Sequence, residues 1–295
     1  MSTWTVGDIR VTRIEESVAP SGWTPEQFLK QFDLAVFRSY LPEMPGQYSE
    51  ALHRLISSIH SWVIRIGDRV ILVDACCGNQ KPRPWMARFD RLDTPYLERL
   101  RAAGIEPEDV DTVLCTHLHA DHVGWNTRLQ NGRWVPTFPN ARYLFSDLDD
   151  ARFNPERNER IEASRAIIYN DSVLPIVRAG QACLVHGSCS LGRGMLIEPA
   201  PGHTPGHVSL KIENGGQTGV FCGDVLHHVI QVFLPDWSSS FCEDPAAAVR
   251  SRRRLLDYCA DTRGLLFPTH FAAPYAVRVD RRGTDFRARF EAAAY

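Results

Sequence analysis

The stretch TVLCTHLHADHVGWN (residues 112–126) carries His117, His119, Asp121 and His122 on one short run of chain. Imidazole and carboxylate are donor types that hold divalent transition metals such as zinc. His117 and His119 are two apart, so in an extended segment their side chains leave on the same side. Asp121 and His122 follow where the chain is expected to turn toward a helix. Such a turn can aim the first pair at one point and the second pair at another close by. Three later segments supply what this cluster lacks. PAPGHTPGHVSL puts His203 in a Gly/Pro turn after an apolar run, GVFCGDVLHH puts Asp224 just beyond another, and LLFPTH puts His270 at the end of a third. Together these are five histidines and two aspartates at the C-terminal tips of predicted strands, where α/β sheets place their ligands. They suffice for two metal ions sharing one carboxylate.

The chemistry open to such a set is hydrolysis. Two metals about 3.5–4 Å apart lower the pKa of a shared water and polarise a carbonyl or phosphoryl oxygen. No serine or cysteine nucleophile is then needed. HGSCSLG (186–192) lacks the Gly-x-Ser-x-Gly elbow, and the cysteines have no evident base partner.

The elements that must position these residues are legible from pattern. Residues 3–15 read as two short strands around VGD. SIHSWVIRIGDRVILVDACCGN reads as a hairpin turning at GD and running into Asp74 and Gly78. DTPYLERLRAAGI reads as a helix with Pro95 near its start and Gly104 at its end. VDTVLCT is a short, continuously apolar strand covered on both faces, and it delivers the histidine cluster. Residues 146–170 read as helical, and residues 182–224 as strands alternating with Gly-rich turns. EDPAAAVRSRRRLLDYCAD is a helix with Asp244 as N-cap and Pro245 at its first position. GLLFPTH is a last buried strand, ending on His270. Residues 18–54 differ: Trp23, Phe28, Phe32, Phe37, Tyr40, Met44 and Tyr48 fall with weak periodicity, as in a packing arm or a flap over the site.

The bulk numbers exclude other classes. The chain has 295 residues, 44% of them hydrophobic and 23% charged, enough for one large α/β domain over 1–295. Its 33 basic and 35 acidic side chains give a net charge of −2, so neither nucleic acid nor an anionic membrane is expected as a partner. The first residues lack a basic segment followed by an apolar run, and no window approaches the roughly 18–20 apolar residues of a membrane span. The eight cysteines form no C-x-x-C pair and are expected to be reduced, mostly buried thiols in a cytoplasmic protein.

The motif set resembles the metallo-β-lactamase-fold superfamily. Its H-x-H-x-D-H stands here as His117-Leu118-His119-Ala120-Asp121-His122, and the remaining pieces follow in order over nearly the whole chain. The resemblance implies a four-layer αββα sandwich with metals at one edge. It implies that His117, His119 and His203 hold a first metal and Asp121, His122 and His270 a second. Asp224 would bridge them, with a water or hydroxide as the other bridge. Asp74 would support the site by hydrogen bonding. DACCGN, THLHADHVGWN, FCGDVLHH and FPTHF look most like the branch holding N-acyl-homoserine lactonases and methyl parathion hydrolase. In the lactonases a tyrosine stands three residues after the bridging aspartate. Here that place is His227, expected to hydrogen-bond the substrate, with Asp121 helping to pass a proton to the leaving oxygen. His119 departs from the glutamate of the superfamily's diiron flavoproteins, which speaks against a redox role.

His207, which closes GHTPGH, is expected to be structural, as are His53, His60 and His186; His228 is left open. Of the aromatics near the motifs, several among Trp62, Trp85, Phe89, Trp125, Phe233, Trp237 and Phe241 should line a pocket walled by DACCGNQKPRPW and residues 18–54. The expected activity is hydrolysis of a small hydrophobic ester or lactone by two divalent metals, zinc by default, with iron, manganese or cobalt able to use the same ligands. The alternatives are a glyoxalase II-like thioester hydrolase and a non-catalytic metal-binding sensor. Against the first stand the lack of a basic run after Asp224 and of a long helical C-terminal domain. The substrate is expected to be a small molecule. Whether the chain is a homodimer is left open.

Overall fold

The computed structural model describes residues 2–293. Strands β1 (Thr3–Val6), β2 (Ile9–Pro20), β3 (Tyr48–Ser49), β4 (Arg54–Ile66), β5 (Arg69–Val73) and β6 (Thr112–Leu114) begin the first sheet. A separate hairpin, β7 (Thr127–Gln130) and β8 (Arg133–Pro136), interrupts it before β9 (Arg142–Ser146) and β10 (Ala182–Val185) complete it. The order is β1-β2-β4-β5-β6-β9-β10, with β3 paired to β4. Pairing is antiparallel as far as β5 and parallel from β5 through β6 and β9 to β10.

The second sheet is a run of neighbours: β11 (Cys189–Gly192), β12 (Met195–Pro199), β13 (Val208–Asn214), β14 (Gln217–Phe221), β15 (Leu265–Phe267), β16 (Ala276–Arg282) and β17 (Asp285–Glu291). Only its β14–β15 pairing is parallel. The helix Pro245–Thr262 forms that crossover, and Asp244 caps it by accepting from Ala247 N.

Alternation along the strands builds the layers. Trp62, Ile64, Ile71, Val73 and Leu114 point inward and meet Leu210, Ile212, Phe221 and Phe267 of the second sheet. Their sequence neighbours Val63, Leu72 and Val113 point outward, onto Tyr96, Leu100, Ile168 and Ile176 of the helices. On the far side, Val220 and Leu266 pack against Leu255, Leu256 and Cys259 of the 245–262 helix. Three cores therefore separate helix, sheet, sheet and helix, which is the predicted αββα sandwich. Because both faces of the central strands are covered, they read as unbroken apolar runs rather than alternating ones.

Several details differ from the sequence reading. The strand carrying His270 stops at Phe267, so the histidine stands on the loop beyond it. The helical stretch expected over 146–170 is two helices, Asp147–Phe153 and Ala163–Ser172. The β16–β17 hairpin was not anticipated. Residues 18–54 continue β2, then form the short helices Pro25–Phe28 and Leu34–Tyr40. Leu29, Phe37 and Met44 anchor this segment in the outer core of the second sheet. All eight cysteines are free thiols, six buried and two half-buried. Among the described residues no helix is long and apolar enough to cross a membrane.

Candidate metal centre

The site lies where β5, β6 and β14 end. Asp74, directly after β5, adopts φ 58°, a left-handed conformation that aspartate tolerates better than most residues. Its carboxylate accepts from Thr116 N at 2.8 Å and Thr116 Oγ1 at 3.0 Å, fixing the chain as it leaves β6. Oδ2 also lies 2.9 Å from His122 Nδ1 and accepts from Thr269 Oγ1 at 3.3 Å. One buried carboxylate thus ties together the histidine cluster and the His270 loop, the supporting place expected for it.

Beyond β6 the chain bends at Thr116, His117 and His119 and then enters the short helix Ala120–Val123, with His119 itself in an extended conformation (φ −79°, ψ 162°). His117 Nε2, His119 Nδ1 and His203 Nε2 form a triangle with sides of 3.0, 3.1 and 2.8 Å. Three ring nitrogens cannot satisfy one another at these spacings, since each carries at most one proton. A cation fits instead. The nitrogens of a tetrahedral zinc with Zn–N bonds of 2.0–2.1 Å stand about 3.3 Å apart. Asp121, His122 and His270 make a second group, His122 Nε2 lying 3.8 Å from Asp121 Oδ1 and His270 Nε2 3.6 Å from Asp121 Oδ2.

Asp224 stands between the groups. Its Oδ1 is 3.3 Å from His122 Nε2 and 2.9 Å from His270 Nε2. Its Oδ2 is 3.2 Å from His203 Nε2 and 3.8 Å from His117 Nε2. His122 Nε2 and Asp224 Oδ1 are also buried without a hydrogen-bond partner. Buried polar atoms left unpaired in this way are costly unless something else occupies the space between them.

The outer nitrogens fix how each ring is turned. His270 Nδ1 donates to Ser58 O at 3.1 Å, and His122 Nδ1 faces Asp74. Burial works to lower both rings, but Asp224 and the neighbouring carboxylates outweigh it and raise them. With the outer protons committed outward, a cation held here would take the place of the inner proton on each Nε2. Burial pushes His119 down to about 4, so its ring is neutral near pH 7. Burial also works to raise the Asp224 carboxyl, but His270, His122, His227 and His203 outweigh it and hold the group well below the usual carboxylate range.

The remaining histidines sort themselves by partner. His207 Nε2 accepts from Asp224 N at 2.9 Å and so holds the turn that presents the aspartate. His228 Nε2 donates to Gln47 O at 2.9 Å, a structural contact. His60, fully buried, lies 2.7 Å from Ser58 Oγ and donates to Pro268 O. His53 faces Glu26, and His186 faces Asp147. His227 lines the site, but its Nε2 is turned onto His203 Nδ1 at 3.2 Å and Asp224 Oδ2 at 3.3 Å. Its Nε2 is thus taken up by the site itself, while its Nδ1 is buried without a partner.

A cavity of about 460 Å³ opens over these groups, with His119, Asp121, Asp224 and His270 among its lining. Its apolar walls are Trp23, Phe28, Trp85, Met86, Phe89, Ile168 and Phe241. Residues 18–54 and the DACCGNQKPRPW loop both contribute, as expected. Trp62, Trp125, Phe233 and Trp237 belong to the core instead. Two contributors escaped sequence reasoning. Asp149 accepts from Thr204 Oγ1 and Gly206 N and so braces the His203 turn, yet in SDLDDARF it reads as one surface acid among several. Arg88 reaches the cavity from a loop with no motif.

The Metallo-beta-lactamase superfamily model matches residues 56–270. A hydroxyacylglutathione hydrolase of Trichodesmium erythraeum is 26% identical over 203 residues, 66% of this chain and 64% of the relative. The chain spans less than two thirds of the length of this relative. Among solved structures, the hydrolase AbOPH of the beta lactamase superfamily superposes with a TM-score of 0.81 at 23% identity over 98% of both chains. AidC, a dizinc quorum-quenching lactonase in complex with a product, gives 0.78 at 22% identity over 99% of this chain and 98% of AidC. These two share the fold. With more than half its length matched, the described fold and the H-x-H-x-D-H motif in place, the chain belongs to the metallo-β-lactamase superfamily.

Proposed function

We propose that the chain is a dinuclear metal-dependent hydrolase that opens the ester or lactone bond of a small, largely apolar molecule. The observation that carries this reading is the division of Asp224, one carboxylate oxygen facing each histidine group. His117, His119 and His203 would hold one ion, Asp121, His122 and His270 the other, and Asp224 both. Zinc suits the donors, and iron, manganese or cobalt can use them too. The chemistry supplied by two such bound ions is an acidified water and a polarised carbonyl.

The rest falls to the protein. The aromatic walls bind the apolar body of the substrate and exclude water around the scissile bond. Asp121, half-buried and lining the cavity, would carry a proton on its carboxylate to the leaving oxygen. AidC, a lactonase of the same fold, supports the lactone side of the reading. The match to hydroxyacylglutathione hydrolase favours a thioester as second reading. Against it, residues 225–241 after Asp224 hold no lysine or arginine to anchor a glutathione carboxylate.

The test is metal-loaded protein assayed against matched lactones, aryl esters and thioesters. Turnover of the oxygen esters above the thioesters is the expected result. Faster thioester cleavage would transfer the assignment to the second reading. Ligand binding without any turnover would make the chain a sensor of the same fold.

A further inference from the structure

The cavity holds one cation without a counter-ion. Arg165 faces Glu243 and Glu162, and Glu243 is shared with Arg152 at 3.1 Å. Arg88 differs. Its Nη2 donates to Ser57 O at 2.8 Å, which fixes the guanidinium in place. Its Nε is buried with no hydrogen-bond partner, and among the described residues no carboxylate forms an ion pair with it. Burial disfavours its charged form, and Cys77 and Asp121 only partly offset this.

A half-buried guanidinium held by a hydrogen bond, with one nitrogen buried and no ion-pair partner, in the lining of a cavity is an incomplete ion pair. Its neighbours in the cavity wall, Trp85, Met86 and Phe89, are uncharged, and Asp121 in the same lining acts on it without forming an ion pair. An anionic oxygen entering with the substrate would complete the pair through a charge-assisted hydrogen bond. A neutral molecule of the same shape would leave the arginine unpaired.

We propose that Arg88 anchors the substrate and selects molecules whose apolar body carries a carboxylate in addition to the ester or lactone bond. This rests on the hydrolase reading for the bond that is cleaved, and on the cavity alone for the anion. Arg88 then acts in binding, so its contribution falls on KM and not on kcat.

The test compares 3- and 4-acetoxybenzoate with the corresponding acetoxybenzamides on metal-loaded wild type and Arg88→Gln. The ester is the same in each pair, and comparing the two proteins cancels the intrinsic difference in reactivity. The preference for carboxylate over carboxamide should fall about 10- to 100-fold in the variant, through KM. In parallel, calorimetry with non-hydrolysable 4-methoxybenzoate should show a similar loss of affinity in the variant, while 4-methoxybenzamide shows none. Carboxylate bound only by the metals would be insensitive to Arg88→Gln, so an unchanged Kd together with an unchanged preference overturns the proposal. Should wild type cleave neither ester, the hydrolase reading fails and the calorimetric comparison still decides the role of Arg88. Melting temperature and metal content establish that the variant is folded. If Arg88→Gln is not, Arg88→Lys retains the charge and should keep most of the preference, and its complete loss there would also overturn the assignment.

Discussion

His203 Nδ1 lies 3.2 Å from His227 Nε2, while His203 Nε2 is turned toward His117 and His119. If the inner nitrogen ligates a metal, the outer one carries the proton and His227 is its acceptor. Burial pushes His227 down to about 3, which keeps its ring neutral and able to accept. The ring thus orients a ligand. His227→Phe should weaken binding of one metal by about 10- to 100-fold, the usual cost of losing such a support. His227→Gln, whose amide oxygen can accept the same proton, should restore most of it. Metal titrations of the two variants read this directly. A His227→Phe protein with unaltered metal affinity, but with kcat down at saturating metal, would return His227 to contact with the substrate.

Asp224 should be the most damaging single side chain to remove, because it faces both groups. Asp224→Ala is expected to abolish hydrolysis and to drop metal content from two ions per chain. His207→Ala removes only the acceptor for Asp224 N. Leaving that buried donor unpaired should cost about 1–3 kcal/mol of stability, with both metals retained. Elemental analysis beside thermal melting separates the two. A His207→Ala protein holding one metal would show that the wrong histidine of GHTPGH has been placed in the first group.

What the sequence made legible was local. His117, His119, Asp121 and His122 declare themselves because they crowd into six residues directly after a buried strand, although the structure puts the first two on a bent loop beyond β6 rather than on the strand. His203, Asp224 and His270 follow because each ends an apolar run that reads as a buried strand. Orientation across the site was not legible. That His227 turns toward His203 depends on the meeting of two loops 24 residues apart in sequence. Asp149 and Arg88 are ordinary charged residues until the fold brings one under the His203 turn and the other to the cavity. The β16–β17 hairpin, by contrast, was legible and not read: in AVRVDRRGTDFRARFE, Val277 and Val279, then Phe286, Ala288 and Phe290, alternate with polar residues about a turn at Gly283.

Lys81 gives a pH dependence away from the site. Its side chain is fully buried and donates to Thr127 Oγ1 at 2.7 Å. Asp171 lies 3.5 Å away, but its carboxylate is already committed to Arg83 through contacts of 2.7 and 2.8 Å. Burial, only partly opposed by Asp171, brings Lys81 down to about 7. The folded-state value lies below the unfolded one, so between about pH 7 and 10 the unfolded chain binds more protons and stability rises with pH. The slope is at most about 1.4 kcal/mol per pH unit. Lys81→Met removes the titration. The stability of wild type minus that of the variant should therefore grow by about 2 kcal/mol from pH 7.5 to 9. A difference that stays flat in denaturant titrations would mean that Lys81 is charged in the fold throughout this range.

Gly124 tests how the histidine turn is held. It follows the short helix bearing Asp121 and His122, and its N donates to Cys76 O at 2.7 Å. Its φ is −59°, so the backbone alone would accept any residue. The constraint is contact: a Cβ here would stand 1.8 Å from the backbone carbonyl of Cys77. That carbonyl belongs to a loop pinned by Glu16, which accepts from Cys77 N at 2.8 Å and Gly78 N at 3.0 Å, so it cannot retreat cheaply. Gly124→Ala must push the turn and the loop apart. The expected cost exceeds about 4 kcal/mol, beyond the range of most single substitutions. Because His122 moves with the turn, binding of the second metal should weaken in whatever fraction still folds. A variant that melts within a few degrees of wild type and retains two metals would show that the loop yields, and that the turn is not held by this contact.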